Sequence, residues 1–217
     1  MALQGVAPFA YLGFDVLSWL PDGIDGRKAD WMTPQTRTTV PSGGFAITAP
    51  ALHPVDAQTA LFRCLARADH ASLWTWLTAR LGRFGAFWCP TFQRDLEILD
   101  ATVLGTWIIR AVGFATRFAS DPSAKYLYGF NQGGANAVTV LVLTAVDNGN
   151  GTETITYSTN VTLIASNGSA PSIAISVVAA ALLRFARLDS DSIAQTWATP
   201  SIVDVAVSFA SITAEQP

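Results

Sequence analysis

From Ile202 to Phe209 the chain alternates strictly: Val203, Val205, Val207 and Phe209 fall on one side, Asp204, Ala206 and Ser208 on the other. A period of two with one apolar side is the mark of a half-buried strand. A less regular alternation runs through Thr59-Ala-Leu-Phe-Arg-Cys-Leu-Ala-Arg67 and predicts a strand with Phe62, Cys64 and Ala66 turned to the core. The period then changes. Leu73, Trp74, Trp76, Leu77 and Leu81 recur at helical spacing on one broad face. Asp69 suits an N-cap, Arg80 the negative C-terminal end and Gly82 the stop, so a helix is expected over 69–81. Gly85 to Pro90 then predicts a strand entered through a tight glycine turn and limited by Pro90. Asp95 to Leu99 continues extended, giving the order strand, helix, strand, strand.

Beyond residue 100 only β signals are read. Thr106 to Val112 and Ala137 to Val146 are strands, and Asp147-Asn-Gly-Asn-Gly-Thr152 is a hairpin turn leading into alternating residues Glu153 to Tyr157. Asn167-Gly-Ser169 turns again. Ala174 to Asp189 is a continuous apolar run, a strand or a short helix, and Ile193 to Trp197 adds one more strand. In the first fifty residues Asp22-Gly23 and Asp25-Gly26 are turn signals and Pro41-Ser-Gly-Gly44 a connection. Trp31, Met32, Thr38 and Val40 lie between them in β-favouring surroundings. The fold class expected is α+β, mainly antiparallel β (sandwich or barrel-like), with one main helix near 69–81. Residues 1–105 would form an N-terminal assembly domain carrying that helix. Residues 106–217 would form a C-terminal β-rich portion, separate from the first or continuous with it.

Charge changes this picture. Only 13% of the 217 residues are charged, half the ~25% usual in globular domains, while 50% are hydrophobic and mean hydropathy is +0.34. So few charges leave a surface rich in small polar residues, or one covered by neighbouring subunits. The net charge of −3 and the lack of any basic run exclude nucleic acid as the expected partner. Met1 to Tyr11 has no positively charged flank of a signal peptide. The apolar run Ile175 to Leu183 is far shorter than the ~20 residues of a membrane helix. Cytoplasmic synthesis, no membrane, and free buried thiols at Cys64 and Cys89 are therefore expected.

Chemistry is sparse. The two histidines are His53, in a Pro-rich loop, and His70, expected to face solvent at the start of the helix. Cys64 and His70 lie six residues apart across a strand-to-helix turn, with no third group spaced to complete a triad. There is no CxxC, HExxH or acidic ligand loop. Asp189-Ser-Asp191 puts two carboxylates on one side of a strand or turn, as a glycosidase or cation site would, or as a solvated turn would. Gly129-Phe-Asn-Gln-Gly-Gly134 lacks the lysine of a phosphate loop, and the sequons at Asn160 and Asn167 need secretion to matter. The expectation is no catalytic residue, no cofactor and no metal. What stands out is aromatic mass around the helix. Trp74, Trp76, Phe87, Trp88 and Phe92, with Phe84, are candidates for core or interface anchors.

The run Trp74-Thr-Trp-Leu-Thr-Ala-Arg-Leu-Gly-Arg-Phe-Gly-Ala-Phe-Trp-Cys-Pro-Thr-Phe-Gln-Arg-Asp95 resembles a pattern in tail proteins of long-tailed bacteriophages and prophages. There a helix ends in Arg-x-Gly-Arg and a strand follows that reads Phe-Trp-x-Pro-Thr-Trp. Leu17-Ser-Trp-Leu-Pro-Asp22 and Trp31-Met-Thr33 are similar to the N-terminal strands of those proteins, although Pro34 stands where an acidic residue is expected. Asp147 to Thr154 is similar to their Asn-Gly-x-Gly-Thr hairpin. Arg187 to Trp197, with Thr199 and the acidic Glu215, is similar to their closing segment. The resemblance implies a structural virion protein of the distal tail or tail tip. It would be a homo-oligomeric ring next to the hub, made in the bacterial cytoplasm, joining tail tube to hub and fibre proteins without catalytic residues. The alternative from another class is a β-sandwich module of a fibre or adhesin that binds carbohydrate or a receptor through exposed aromatics.

Overall fold

The chain forms an α+β fold, predominantly of antiparallel strands, in a computed structural model that describes residues 9–22, 27–32, 36–39, 45–48, 55–131, 136–158, 162–165, 177–212 and 215–217. It divides into two compact units whose segments alternate along the sequence. The first comprises Met1–Leu20, Phe87–Phe185 and Thr213–Pro217, the second Pro21–Ala86 and Ala186–Ile212. Position 105, the boundary expected from sequence, lies within the first unit in a loop between two paired strands.

The first unit is built on a closed antiparallel barrel of six strands. They are β8 (Leu96–Asp100), β9 (Thr106–Arg110), β10 (Tyr126–Asn131), β11 (Asn136–Asp147), β12 (Thr152–Tyr157) and β14 (Val177–Leu188), the last within this unit to Phe185. The order β14-β10-β11-β12-β9-β8 returns to β14 where Ala179 and Ala180 pair with Glu97 and Leu96. A further strand, β13 (Thr162–Ala165), pairs with β11. Register shifts between Ile98 and Asp100, Phe130 and Asn131, and Val142 and Thr144 bend the strands, as tight closure requires. Trp107, Ile109, Leu127, Val140, Ile155, Tyr157 and Leu182 are among the side chains that fill the interior, so the barrel is a packed core. Gly129 makes room for this filling. A Cβ there would stand 2.6 Å from Val138 Cγ1 and 3.3 Å from the Trp107 ring.

A second layer of the same unit is aromatic. The hairpin β1 (Phe9–Tyr11) and β2 (Phe14–Val16) turns through Leu12 and Gly13, both at positive φ. β2 then meets β7 (Phe87–Pro90) in parallel at Val16 and Trp88, and β7 neighbours β14. Residues 177–185 of β14 are therefore covered on both faces, which is why this strand reads as an unbroken apolar run.

The second unit is an open antiparallel sheet in the order β3 (Arg27–Met32), β6 (Val55–Cys64), β16 (Val203–Ser211), β15 (Ala194–Trp197), with Ala186–Leu188 also pairing to β16. Val203, Val205, Val207 and Phe209 are buried together with Phe62 and Cys64, as the two alternating segments predict, and with Ala60. Ala66, expected on the same side, is exposed, because the strand ends at Cys64 and Ala66 is already the N-cap of the helix that follows. Helix α1 (Arg67–Thr78) lies on this side with Leu73, Trp76 and Leu77 buried. On the opposite side Arg63 binds Asp204 through Nε and Nη2 at 2.8 and 3.0 Å and Asp22 through Nη1 at 3.1 Å. A hairpin of β4 (Thr36–Thr39) and β5 (Phe45–Thr48) pairs, among the described residues, only with itself.

Three local expectations are corrected. Helix α1 starts at Arg67, two residues early: Ala66, extended at φ −136°, is the N-cap without a side-chain bond, and Asp69 sits inside the first turn. The helix ends at Thr78, so Arg80 and Leu81 lie in the turn that follows. Second, residues after 100 are not all β, for α2 (Phe114–Ser120) and a 3-10 turn at Pro122–Lys125 stand between β9 and β10. Third, Leu81, expected on the buried helix face, is exposed. The expected turns at Asp22-Gly23, Asp25-Gly26, Pro41–Gly44 and Asn167–Ser169 lie outside the described residues, wholly or in part, and so does Val40.

Candidate functional site

The aromatic anchors expected from sequence divide between the units. Trp88 is fully buried at the centre of an aromatic cluster, 4.7 Å from Tyr126, 5.0 Å from Phe185 and 5.8 Å from Tyr11, ring centre to ring centre. Its Nε1–H donates to the Tyr11 carbonyl at 2.9 Å. Phe87 and Phe92 are buried in the same unit, Phe92 at φ +56°. Burial pushes the Tyr11 phenol up to about 12, with Tyr126 adding to the effect. Trp76 is buried in the second unit, with the Arg80 guanidinium 4.9 Å above its ring. Trp74 is half-buried.

His70 does not point freely into solvent. It is half-buried, its Nε2 lies 3.2 Å from Gln195 Oε1, and its ring stacks on Trp74 and meets Trp197 edge-on at 5.2 Å. Cys64 and Cys89 are buried thiols, not joined in a disulfide. Burial first, then the carboxylates of Asp69 and Asp204, pushes the Cys64 thiol up to about 11, so at neutral pH it is a protonated core group and not a nucleophile. A thiol reagent at pH 8 should label neither cysteine in the native protein and both in denaturant. Rapid native labelling of Cys64 would contradict this burial.

Asp189 and Asp191 are exposed in the turn between β14 and β15. Asp191 Oδ1 accepts the Arg83 backbone N–H at 3.0 Å and lies so close to Gly82 that a Cβ there would sit 2.2 Å away. Asp191 thus ties down a loop. Gly129 is a packing position in β10, and Gln132–Gly134, His53 and the sequon asparagines Asn160 and Asn167 lie outside the described residues. Among the described residues no group of three or more His, Cys, Asp and Glu could hold a metal, and no helix is long and apolar enough to cross a membrane.

What the periodicity did not reveal is an exposed apolar loop in the second unit. Leu81 is 74% and Phe84 83% exposed. The loop is nonetheless held in one shape. Leu81 and Gly82 are at φ +52° and +64°, Gly85 N–H donates to the Arg80 carbonyl at 2.7 Å, and Asp191 fastens Arg83. A helical reading that runs to residue 81 hides this loop, because it counts Leu81 as core. The adjacent Leu81-Gly82 pair is the signal that the helix has already ended. Trp197, at 49%, is a further large exposed side chain of this unit, on the outer strand β15. No protein-family model and no curated protein matches the chain.

Proposed function

We propose that this chain is a non-enzymatic structural subunit of a bacteriophage tail, at the distal tail or tail tip. There, copies would close into a homo-oligomeric ring that joins the tail tube to hub and fibre proteins. The observation that carries the reading is the exposure of large apolar side chains, Leu81, Phe84, Val103, Leu104 and Trp197, on a chain with few charges to keep it soluble alone. The resemblance of the segment 74–95 to tail proteins supports the choice of this assembly. The open sheet adds means of association: β3 and β15 each pair on one side only among the described residues. Unpaired edges of this kind accept strands from other chains. Virion location and cytoplasmic synthesis follow from the same reading.

Gold-labelled antibody against the protein, applied to phage particles made by cells carrying its gene, should mark the tail end distal to the head. Purified protein should form a closed oligomer in native mass spectrometry, burying more than ~1,000 Å² per interface. A monomer at every concentration, absent from any tail, would refute the proposal. The carbohydrate-binding alternative predicts instead a monomer whose tryptophan fluorescence responds to sugars.

A further inference from the structure

Two features of the second unit lie along and just past α1, a helix about 18 Å long at 1.5 Å per residue. Past its C-terminal end stands the fastened loop 79–86, which presents Leu81 and Phe84 with the exposed Arg83 between them. Arg83 spends its backbone N–H on Asp191, while its guanidinium has no partner among the described residues. Along the helix itself is an aromatic corner: His70 and Trp74, the fourth and eighth of its twelve residues, with Gln195 and Trp197 from β15. Asp69 lies in the same first turn with no cation against it among the described residues, and its Oδ2 is buried without a hydrogen-bond partner.

A leucine held at positive φ is strained, and here that strain helps hold two large apolar groups in water. Such an arrangement is stable only on balance with the rest of the fold, and gains when the loop is covered. The two features complement each other. One offers apolar mass and a free cation. The other offers a half-exposed indole, on whose face a guanidinium sits well, and beside it the half-buried Asp69, whose negative charge complements the cation.

We propose that the 79–86 loop of one copy docks on the Asp69, His70, Trp74, Trp197 corner of a second copy of this chain, with Phe84 against Trp197 and Arg83 towards Asp69. Because donor and acceptor are different surfaces of the same unit, the contact can repeat head-to-tail, and repetition gives a ring when the rotation closes. This interface rests on the ring reading above and gives it residues.

The test uses two full-length variants. R83E/F84S removes the donor and keeps the acceptor, and Phe84 is exposed enough that its loss leaves folding intact. W197S removes the acceptor and keeps the donor. Each alone should run as a monomer in native mass spectrometry, and an equimolar mixture should give dimers and nothing larger. In a single chain, R83E with D69K should restore assembly that either change alone weakens by roughly tenfold or more, a loss of about 1.4 kcal/mol. If both variants still form the wild-type oligomer, or their mixture stays monomeric, this interface is wrong while the ring reading stands. If wild-type protein is itself monomeric throughout, the ring reading falls and the interface with it.

Discussion

Replacing Glu153 with glutamine should destabilise the barrel unit by about 2–4 kcal/mol, and alanine should cost more, although no catalytic or binding role is assigned to this residue. Its carboxylate is almost fully buried in β12. Oε1 accepts the backbone N–H groups of Val112, Gly113 and Phe114 at 2.9, 2.7 and 3.2 Å, and Oε2 accepts that of Ala115 at 2.7 Å. Gly113, Phe114 and Ala115 are donors that the first turn of α2 leaves without helical partners, and Val112 immediately precedes that turn. Bonds to an ionised acceptor are the strong kind, and a buried donor stripped of its acceptor costs ~1–3 kcal/mol. Glutamine keeps one oxygen, so three of the four bonds survive in weaker, neutral form. Its NH₂ then faces the Ala115 N–H, donor against donor. Urea unfolding of both variants measures the effect, and little change with salt is expected because the site is shielded from solvent. A glutamine variant within ~0.5 kcal/mol of wild type would show that the carboxylate does not hold the turn.

Glu153 also explains why α2 escaped the sequence. Helix ends are normally read from local caps, and Gly113, at φ +76°, offers no side-chain oxygen. The cap comes from a residue about forty positions later, and nothing near Phe114 announces it. A clue does exist in β12. Alternation places Glu153 on the same side as Ile155 and Tyr157, a carboxylate among core positions, and such a group needs donors. Where the physics is local, the sequence was legible: the alternation of 203–209 and the Asn-Gly hairpin appear as expected, the latter with Gly149 and Gly151 at positive φ. Helix α1 was legible in kind but displaced at both ends, since its N-cap works through backbone geometry alone and its C-terminus is set by the Leu81-Gly82 turn. Partner choice was not legible at all. β6 pairs with β16 across some 140 residues, and the barrel closes through a two-residue ladder between β14 and β8. A period of two shows that a strand has a buried side and is silent about which strand lies next to it. The exposed loop was obscured for the same reason as the helix end, because Leu81 fits the helical period and only the chain's reversal takes it out of the core.

Trp88→Ala should be the most damaging single truncation, costing about 3–5 kcal/mol against the ~5–15 kcal/mol that holds a whole domain. Two losses combine. The indole fills the centre of the Tyr11, Tyr126 and Phe185 cluster with no exposed surface, so its removal leaves a cavity among rings too stiff to collapse into it. Its N–H is also the donor to the Tyr11 carbonyl, a buried bond that would be lost. Trp88→Phe separates the two, keeping most of the volume and losing the bond, and should cost ~1–3 kcal/mol. Since this cluster joins the N-terminal hairpin to β7, the alanine variant should expose Tyr11 and release the hairpin to protease before the barrel unfolds. Under the structural reading, tails carrying it should be absent or defective. The opposite is expected at the acidic turn. Asp189→Asn with Asp191→Asn should stay within ~0.5 kcal/mol of wild type, because an amide oxygen can still accept the Arg83 N–H, and assembly should be normal. Urea melts and electron microscopy of particles decide between them. Should the double Asn variant assemble normal particles that cannot infect, while Trp88→Ala is harmless, the protein acts through its carboxylates and the mechanical account is wrong.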